Sequence, residues 1–273
     1  MKLEVGISWL LAASAGALSG CAYDVNLDSK VRVACIGDSN TAPAFGNVCV
    51  KLTERYKPQD EAVPIAEWGM LFQTYARAGS TAIDDPPGAP EDAQGQLNRA
   101  LAGAVAAPEC VTPEFDGWEA CDFASSWDKF ATNARPDVVV FASGTNDIPK
   151  NTTTAPQIYA RLVQLKALAE SAGVKALVAT IPPRCSCTTN PDGTKTCVPG
   201  PWTAKIDAVN AALRADTLLS GRLLELNAGF TCSEHLSNTD GVHVTTAGNA
   251  LRFERANAIV TREIDAAIER IRQ

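Results

Sequence analysis

Val31-Arg32-Val33-Ala34-Cys35-Ile36-Gly37-Asp38-Ser39 and Asp137-Val138-Val139-Val140-Phe141-Ala142-Ser143-Gly144-Thr145-Asn146-Asp147 decide the fold. Each is an apolar run of strand length that stops abruptly in a cluster of turn-forming residues. Short apolar runs without alternation mark strands covered on both faces, as in a parallel sheet. Val174 to Thr180 and Leu223 to Leu226 read the same way, and Leu71 to Ala76 is the candidate for a further strand. Helical spacing separates them. Ile158, Leu162, Leu165 and Ala169 step by four, three and four, and Phe253, Val260, Ile264, Ala267 and Ile271 mark one stripe of a long final helix. Strands alternating with helices predict α/β layers.

In an open parallel sheet, sites form outside the carboxyl ends of the strands. Ser39 follows the first strand, Asn146 follows the third, and the second would deliver Ala78-Gly79-Ser80-Thr81 to the same rim. The chain has two histidines, and one of them, His243, follows Asp240 by three residues in Asp240-Gly241-Val242-His243. That spacing lets a carboxylate hold one side of the imidazole. A serine hydroxyl is a weak nucleophile at neutral pH, so a neutral imidazole must take its proton, while an acid behind the ring fixes the tautomer. Thr245 or Thr246 can cap the last helix and so fix the loop that carries His243. His235 has no comparable partner pattern and reads as an ordinary loop histidine.

Singly these motifs are weak, because Gly-Asp-Ser, Gly-x-Asn-Asp and Asp-x-x-His can each close a turn or cap a helix. Together and in order, the four blocks from Gly37 to His243 resemble the SGNH (GDSL-type) hydrolases. The resemblance implies a three-layer α/β/α sandwich around a central, mostly parallel five-stranded sheet of flavodoxin-like form. It also implies Ser39 as nucleophile, His243 as base and Asp240 as the residue orienting the ring. The oxyanion hole would be the backbone N–H groups of Ser39 and Gly79 with the Asn146 side-chain amide. Donors aimed where charge develops favour the transition state, and losing one costs roughly 3 kcal/mol of barrier. The first block departs from the commoner pattern, with Asn40-Thr41 where an aliphatic residue is usual. This bears on local packing and leaves the chemistry intact. Asp38 and Asp147 flank the blocks and read as turn residues bonded to nearby backbone, the alternative being electrostatic tuning of the site.

The N-terminus carries an apolar stretch, Val5 to Leu18, which is short for a bilayer span and suits a signal-peptide core. It ends in Leu18-Ser19-Gly20-Cys21, which resembles a bacterial lipobox. The expected organisation is a lipoprotein signal peptide at 1–20, a lipidated tether at 21–30 and the hydrolase domain at 31–273. Cys21 would be the acylated residue, anchoring the chain to the periplasmic side of a membrane in the bacterial cell envelope, with the outer membrane favoured. The alternative is a cleaved secretory signal. Nine cysteines less Cys21 leave Cys35, Cys49, Cys110, Cys121, Cys185, Cys187, Cys197 and Cys232, an even set suited to an oxidising compartment. Cys110 with Cys121 would close one loop, and Cys197 with Cys185 or Cys187 another. Zinc is the rival reading of the last three, although a one-residue gap fits its ligand spacing poorly.

A net charge of −7 gives no overall basic character and excludes general polyanion binding, nucleic acid included. At 46% hydrophobic and 20% charged the composition suits one globular domain, with no repeat period. Two insertions, Asp84 to Cys121 and Pro182 to Pro201, read as long loops that shape a substrate pocket, the second with a Pro-Asp-Gly turn. Trp118, Trp127 and Trp202 lie in or beside them. The chemistry requires no cofactor or metal, and no protein partner is implied. The partners are a small-molecule or polysaccharide ester and, through Cys21, a membrane. The expected activity is hydrolysis of short-acyl esters of carbohydrates or small alcohols. The alternatives are a lysophospholipase or thioesterase, acyl transfer to a sugar acceptor, and a non-catalytic glycan-binding lipoprotein on the same fold.

Overall fold

The computed structural model describes residues 31–41, 70–76, 79–83, 92–102 and 135–272. Five strands form the central sheet: β1 (Val31–Gly37), β2 (Met70–Thr74), β3 (Val138–Ala142), β4 (Lys175–Ala179) and β7 (Leu223–Leu224). Their spatial order is β2-β1-β3-β4-β7, and all four pairings are parallel. This is the flavodoxin-like order, in which the chain reverses direction across the sheet at the β1/β3 boundary. The expected five-stranded parallel sheet is therefore present, with end points within two residues of those read from the apolar runs.

Successive side chains of a strand point to opposite faces, and the two cores follow that alternation. Ala34, Ile36, Val139, Phe141, Ala176 and Val178 face one layer. That layer is built from α1 (Ala93–Leu101), α2 (Ala155–Ser171) and α3 (Thr203–Ala215). Val33, Cys35, Val138, Val140, Leu177 and Leu224 face the other. There α4 (Thr246–Arg272) packs Ala256, Val260, Ile264 and Ala267 against them. The result is three layers, with β1, β3 and β4 buried on both sides. Each large side chain so buried is worth roughly 2 kcal/mol.

The helices begin and end where local chemistry requires. In α2, Gln157 Oε1 accepts from the Thr154 backbone N–H at 2.8 Å, one half of a capping box. The expected stripe of Ile158, Leu162, Leu165 and Ala169 is fully buried. For α4, Thr245 is the capping residue, its Oγ1 accepting from the Gly248 N–H at 3.1 Å.

One expectation is corrected. The 182–201 insertion is not an irregular loop but an antiparallel hairpin of β5 (Cys185–Thr189) and β6 (Lys195–Pro199). Its Thr- and Cys-rich arms have strand propensity. The Asn190-Pro191-Asp192-Gly193 turn closes them, with Gly193 at φ +82° and the Asn190 N–H donating to Thr194 O at 2.7 Å. Cys187 and Cys197 face one another across this hairpin and are bonded. Cys185 is bonded to Cys232. The three sulfurs weighed as zinc ligands are thus held in disulfides. Most of the 84–121 insertion, with Cys110, Trp118 and Cys121, lies outside the described residues, as do Cys49, Trp127 and the segment 1–30 with Cys21.

The two disulfides close loops of different length. The Cys185–Cys232 bond spans 47 residues of sequence and the Cys187–Cys197 bond spans 10. By loop-closure entropy, a Cys185→Ser/Cys232→Ser variant should lose about 4 kcal/mol, and Cys187→Ser/Cys197→Ser about 3 kcal/mol. Urea unfolding of the two double variants checks the order.

Candidate active site

The ends of β1, β2 and β3 lie side by side, and the blocks that follow them meet there. Gly37 pairs with Ala142 in the last rung of the β1/β3 ladder. A Cβ on Gly37 would run into the Ala142 carbonyl oxygen and the Thr41 side chain, so no other residue fits this turn. Thr41 Oγ1 donates to that same carbonyl at 2.9 Å. Ser39 therefore emerges from a turn locked to the strand that delivers Asn146.

Ser39 Oγ lies 2.9 Å from His243 Nε2, and His243 Nδ1 lies 2.6 Å from Asp240 Oδ2. The other carboxylate oxygen, Asp240 Oδ1, accepts from the backbone N–H groups of Val242 at 2.7 Å and His243 at 3.0 Å. Burial pushes the Asp240 carboxyl up. The His243 ring and the two backbone donors outweigh it and hold the carboxyl below its ordinary 3.8. With Nδ1–H committed to the carboxylate, Nε2 presents its lone pair to the serine hydroxyl.

Asn146, on the loop after β3, turns its Nδ2 to the Ser80 carbonyl at 3.0 Å, which orients its amide beside the Gly79 block. Gly79 itself has φ +78°, a conformation that glycine adopts without strain. The structure thus gathers Ser39, Asp240 and His243 into one hydrogen-bonded chain and places Gly79 and Asn146 on neighbouring loops. His235 stands apart, stacked on Phe230, with its Nδ1 accepting from the Thr231 N–H.

Several residues for which the sequence indicated no such role hold these blocks together. Gln96 of α1 is fully buried and donates to Gly37 O at 3.0 Å and Ser80 Oγ at 2.8 Å. It also accepts from the Gly37 N–H at 2.9 Å, joining the first two blocks. Asp147, read as a turn residue, reaches farther: its carboxylate accepts from Ala82 N at 2.7 Å and Ile83 N at 3.3 Å, tying the second block to the third. Asp38 accepts from Asn40 N at 3.0 Å and from Thr145 N at 3.2 Å. Arg184 NH1 donates to Thr145 O at 3.1 Å, its guanidinium stacked on Trp202. The next residue, Cys185, donates its N–H to Gly241 O at 2.8 Å, within the Asp240–His243 loop. Gly241, at φ +68°, lies against the Cys185 backbone, where a Cβ would collide.

Beneath Ser39, Asp38 is fully buried and Arg252 of α4 nearly so. Burial raises the Asp38 carboxyl, opposed by its bonds to Thr145 and Asn40 and by the Arg252 charge. Burial likewise lowers Arg252 to about 10 against the pull of Asp38. Only the tertiary fold brings these residues together, so no local pattern marks Arg252 or Gln96.

Two measurements follow from these charges. Arg252→Leu should destabilise the fold by roughly 1–3 kcal/mol in urea unfolding, because it leaves the buried Asn40 carbonyl without its donor and removes the positive charge near Asp38. For Asp240 the folded carboxyl binds its proton less readily than the unfolded one, so its stabilisation is fully present above pH 3.8 and is lost as the pH falls through the lower folded value. The gap in melting temperature between the wild type and Asp240→Asn should therefore narrow as the pH falls below about 3.8.

No protein-family model and no curated protein matches the sequence. Solved structures do match in shape. A candidate arylesterase from Agrobacterium tumefaciens is 18% identical, with 86% of this chain and 99% of that chain covered, at a TM-score of 0.54. A carbohydrate acetylesterase family member from Sinorhizobium meliloti is 17% identical, with 86% and 99% covered, at 0.52. TesA is 18% identical, with 85% and 99% covered, at 0.50. With its parallel sheet in flavodoxin-like order and its serine, glycine, asparagine and histidine blocks on one rim, the chain has the fold of the SGNH (GDSL-type) hydrolases.

Proposed function

We propose that the protein is a serine esterase that works through an acyl-enzyme, and one observation carries this reading: the unbroken hydrogen-bonded chain from Ser39 Oγ through His243 to Asp240, at 2.9 and 2.6 Å. Ser39 Oγ attacks the ester carbonyl while its proton passes to His243 Nε2, and Asp240 stabilises the imidazolium that forms. The carbonyl oxygen becomes an oxyanion, met by the N–H groups of Ser39 and Gly79 and the Asn146 amide. Collapse of the intermediate breaks the ester C–O bond, and Nε2–H gives its proton to the leaving alcohol. Water then adds to the acyl-enzyme with His243 again as base, releasing the carboxylic acid and restoring Ser39.

The proposed substrates are short-acyl, especially acetyl, esters of carbohydrates or small alcohols. The shape likeness to a carbohydrate acetylesterase family member supports that direction. Lipid esters and thioesters are the alternative, and they differ in acyl length. The proposed address is the periplasmic side of a bacterial membrane, with the chain held by acylated Cys21. Its support is the apolar 5–18 stretch with the Leu18–Cys21 motif, together with the disulfide-bonded state of Cys35, Cys185, Cys187, Cys197 and Cys232.

Hydrolysis of p-nitrophenyl acetate and p-nitrophenyl palmitate by the chain from Ala22 onward tests both parts. Ser39→Ala and His243→Ala should each lower kcat/KM by roughly 10³-fold or more, and by similar factors, because the two act as a unit. Acetate release that far exceeds palmitate release supports the short-acyl substrate, and the reverse selects lipids. Either variant with undiminished turnover would sink the esterase.

A further inference from the structure

Asn40, directly after Ser39, faces a segment 204 residues away in the chain. Its Oδ1 accepts from the Val244 backbone N–H at 3.0 Å, and its Nδ2 donates to the Val242 carbonyl at 3.3 Å. Val242 and Val244 are the two neighbours of His243, so one planar amide grips the backbone on both sides of the residue that carries the imidazole. The partners also settle the orientation of the amide, since the Val244 N–H needs an acceptor and the Val242 carbonyl needs a donor.

Asn40 is itself held on every side. It is 2% exposed. Its N–H donates to Asp38 Oδ1 at 3.0 Å, and its carbonyl accepts from Arg252 NH1 at 3.0 Å. The other bonds of the histidine loop run elsewhere: Ser237 N–H to His243 O at 2.7 Å, Thr245 N–H to His235 O at 3.0 Å, and Cys185 N–H to Gly241 O at 2.8 Å. Those contacts shape the loop and dock it on the hairpin. The Asn40 side chain joins it to the serine turn.

Resting on the reading of Ser39 and His243 as nucleophile and base, we propose that Asn40 is a positioning residue whose amide sets the separation of Ser39 Oγ from His243 Nε2 and so the rate of serine activation. The residue does not enter the reaction. An aliphatic side chain at this position fills space but leaves the Val244 N–H and the Val242 carbonyl without these partners, and the loop must move to satisfy them. A shift of about 1 Å between reacting groups can cost about 10²-fold in rate.

The test uses the full chain, with Asn40→Ala and the isosteric Asn40→Asp. Asn40→Asp keeps the acceptor for Val244 but turns a second oxygen towards the Val242 carbonyl. Both variants should lower kcat on p-nitrophenyl acetate by about 10- to 100-fold, with KM within about twofold, and slow fluorophosphonate labelling of Ser39 by the same factor. Nitrogen-15 NMR of the two imidazoles should show the His243 signals displaced and those of His235 unmoved. If Asn40→Ala does not fold, Asn40→Asp, matched in shape, carries the comparison. A value of kcat within twofold of the wild type in Asn40→Asp overturns the proposal, as does an unaltered His243 signal. If the wild type itself shows no Ser39-dependent turnover or labelling, the esterase reading fails. The His243 signal then decides the clamp alone: displacement in the Asn40 variants keeps it and no change removes it.

Discussion

The hydrogen bond from Ser39 Oγ to His243 Nε2 joins residues 204 positions apart at 2.9 Å, and the rest of the structure can be understood as the means of holding it. Neither partner has the chemistry alone. The serine needs a base at hydrogen-bond distance, and the imidazole needs its other nitrogen committed to a carboxylate so that the correct tautomer faces the serine. The second requirement is met locally, within the Asp240–His243 turn. The first requires the whole sheet, because the serine leaves β1 on one side of the crevice and the histidine arrives just before α4.

The parallel register does most of this work. Pairing Gly37 with Ala142 ends β1 and β3 on the same rung, so that the turns carrying Ser39 and Asn146 start from adjacent points. Around them the polar bonds are long-range and buried: Gln96 to Gly37 and Ser80, Asp147 to Ala82, Asp38 to Thr145. A buried polar group left unpaired costs about 1–3 kcal/mol, so each such bond is satisfied in only one arrangement of the loops. The apolar layers supply stability, while this polar lattice supplies position.

The hairpin at 185–199 is the least anticipated part of the architecture. Arg184 and Cys185, adjacent in sequence, contact the two sides of the site, the first at Thr145 and the second at Gly241. The Cys185–Cys232 bond then returns the hairpin to the segment that leads into the histidine loop, where Leu236 bridges to Val244. A fold whose rim consists of separate loops gains from such a brace, since loops are otherwise the least restrained elements. An oxidising compartment, the address proposed for this chain, is where that bond would persist.

The sequence by itself determined the layers, the strands and the residues proposed to react. Period-free apolar runs identify buried strands, three- and four-residue steps identify helices, and Asp240 and His243 are close enough in the chain for their spacing to carry meaning. The same holds for the capping of α4 by Thr245 or Thr246, between which the structure selects Thr245. The sequence could not show that Asn40 and Thr41, an irregularity in the first block, are used as hydrogen-bonding side chains. It did not show that the second insertion is a hairpin, that Cys185 pairs with Cys232, or that Gln96 and Arg252 lie at the site. Those facts depend on contacts between residues far apart in the chain, and such contacts exist only once the sheet has closed. Local spacing reports what a turn or a helix face can do, whereas the partner of a buried amide or guanidinium is decided by packing.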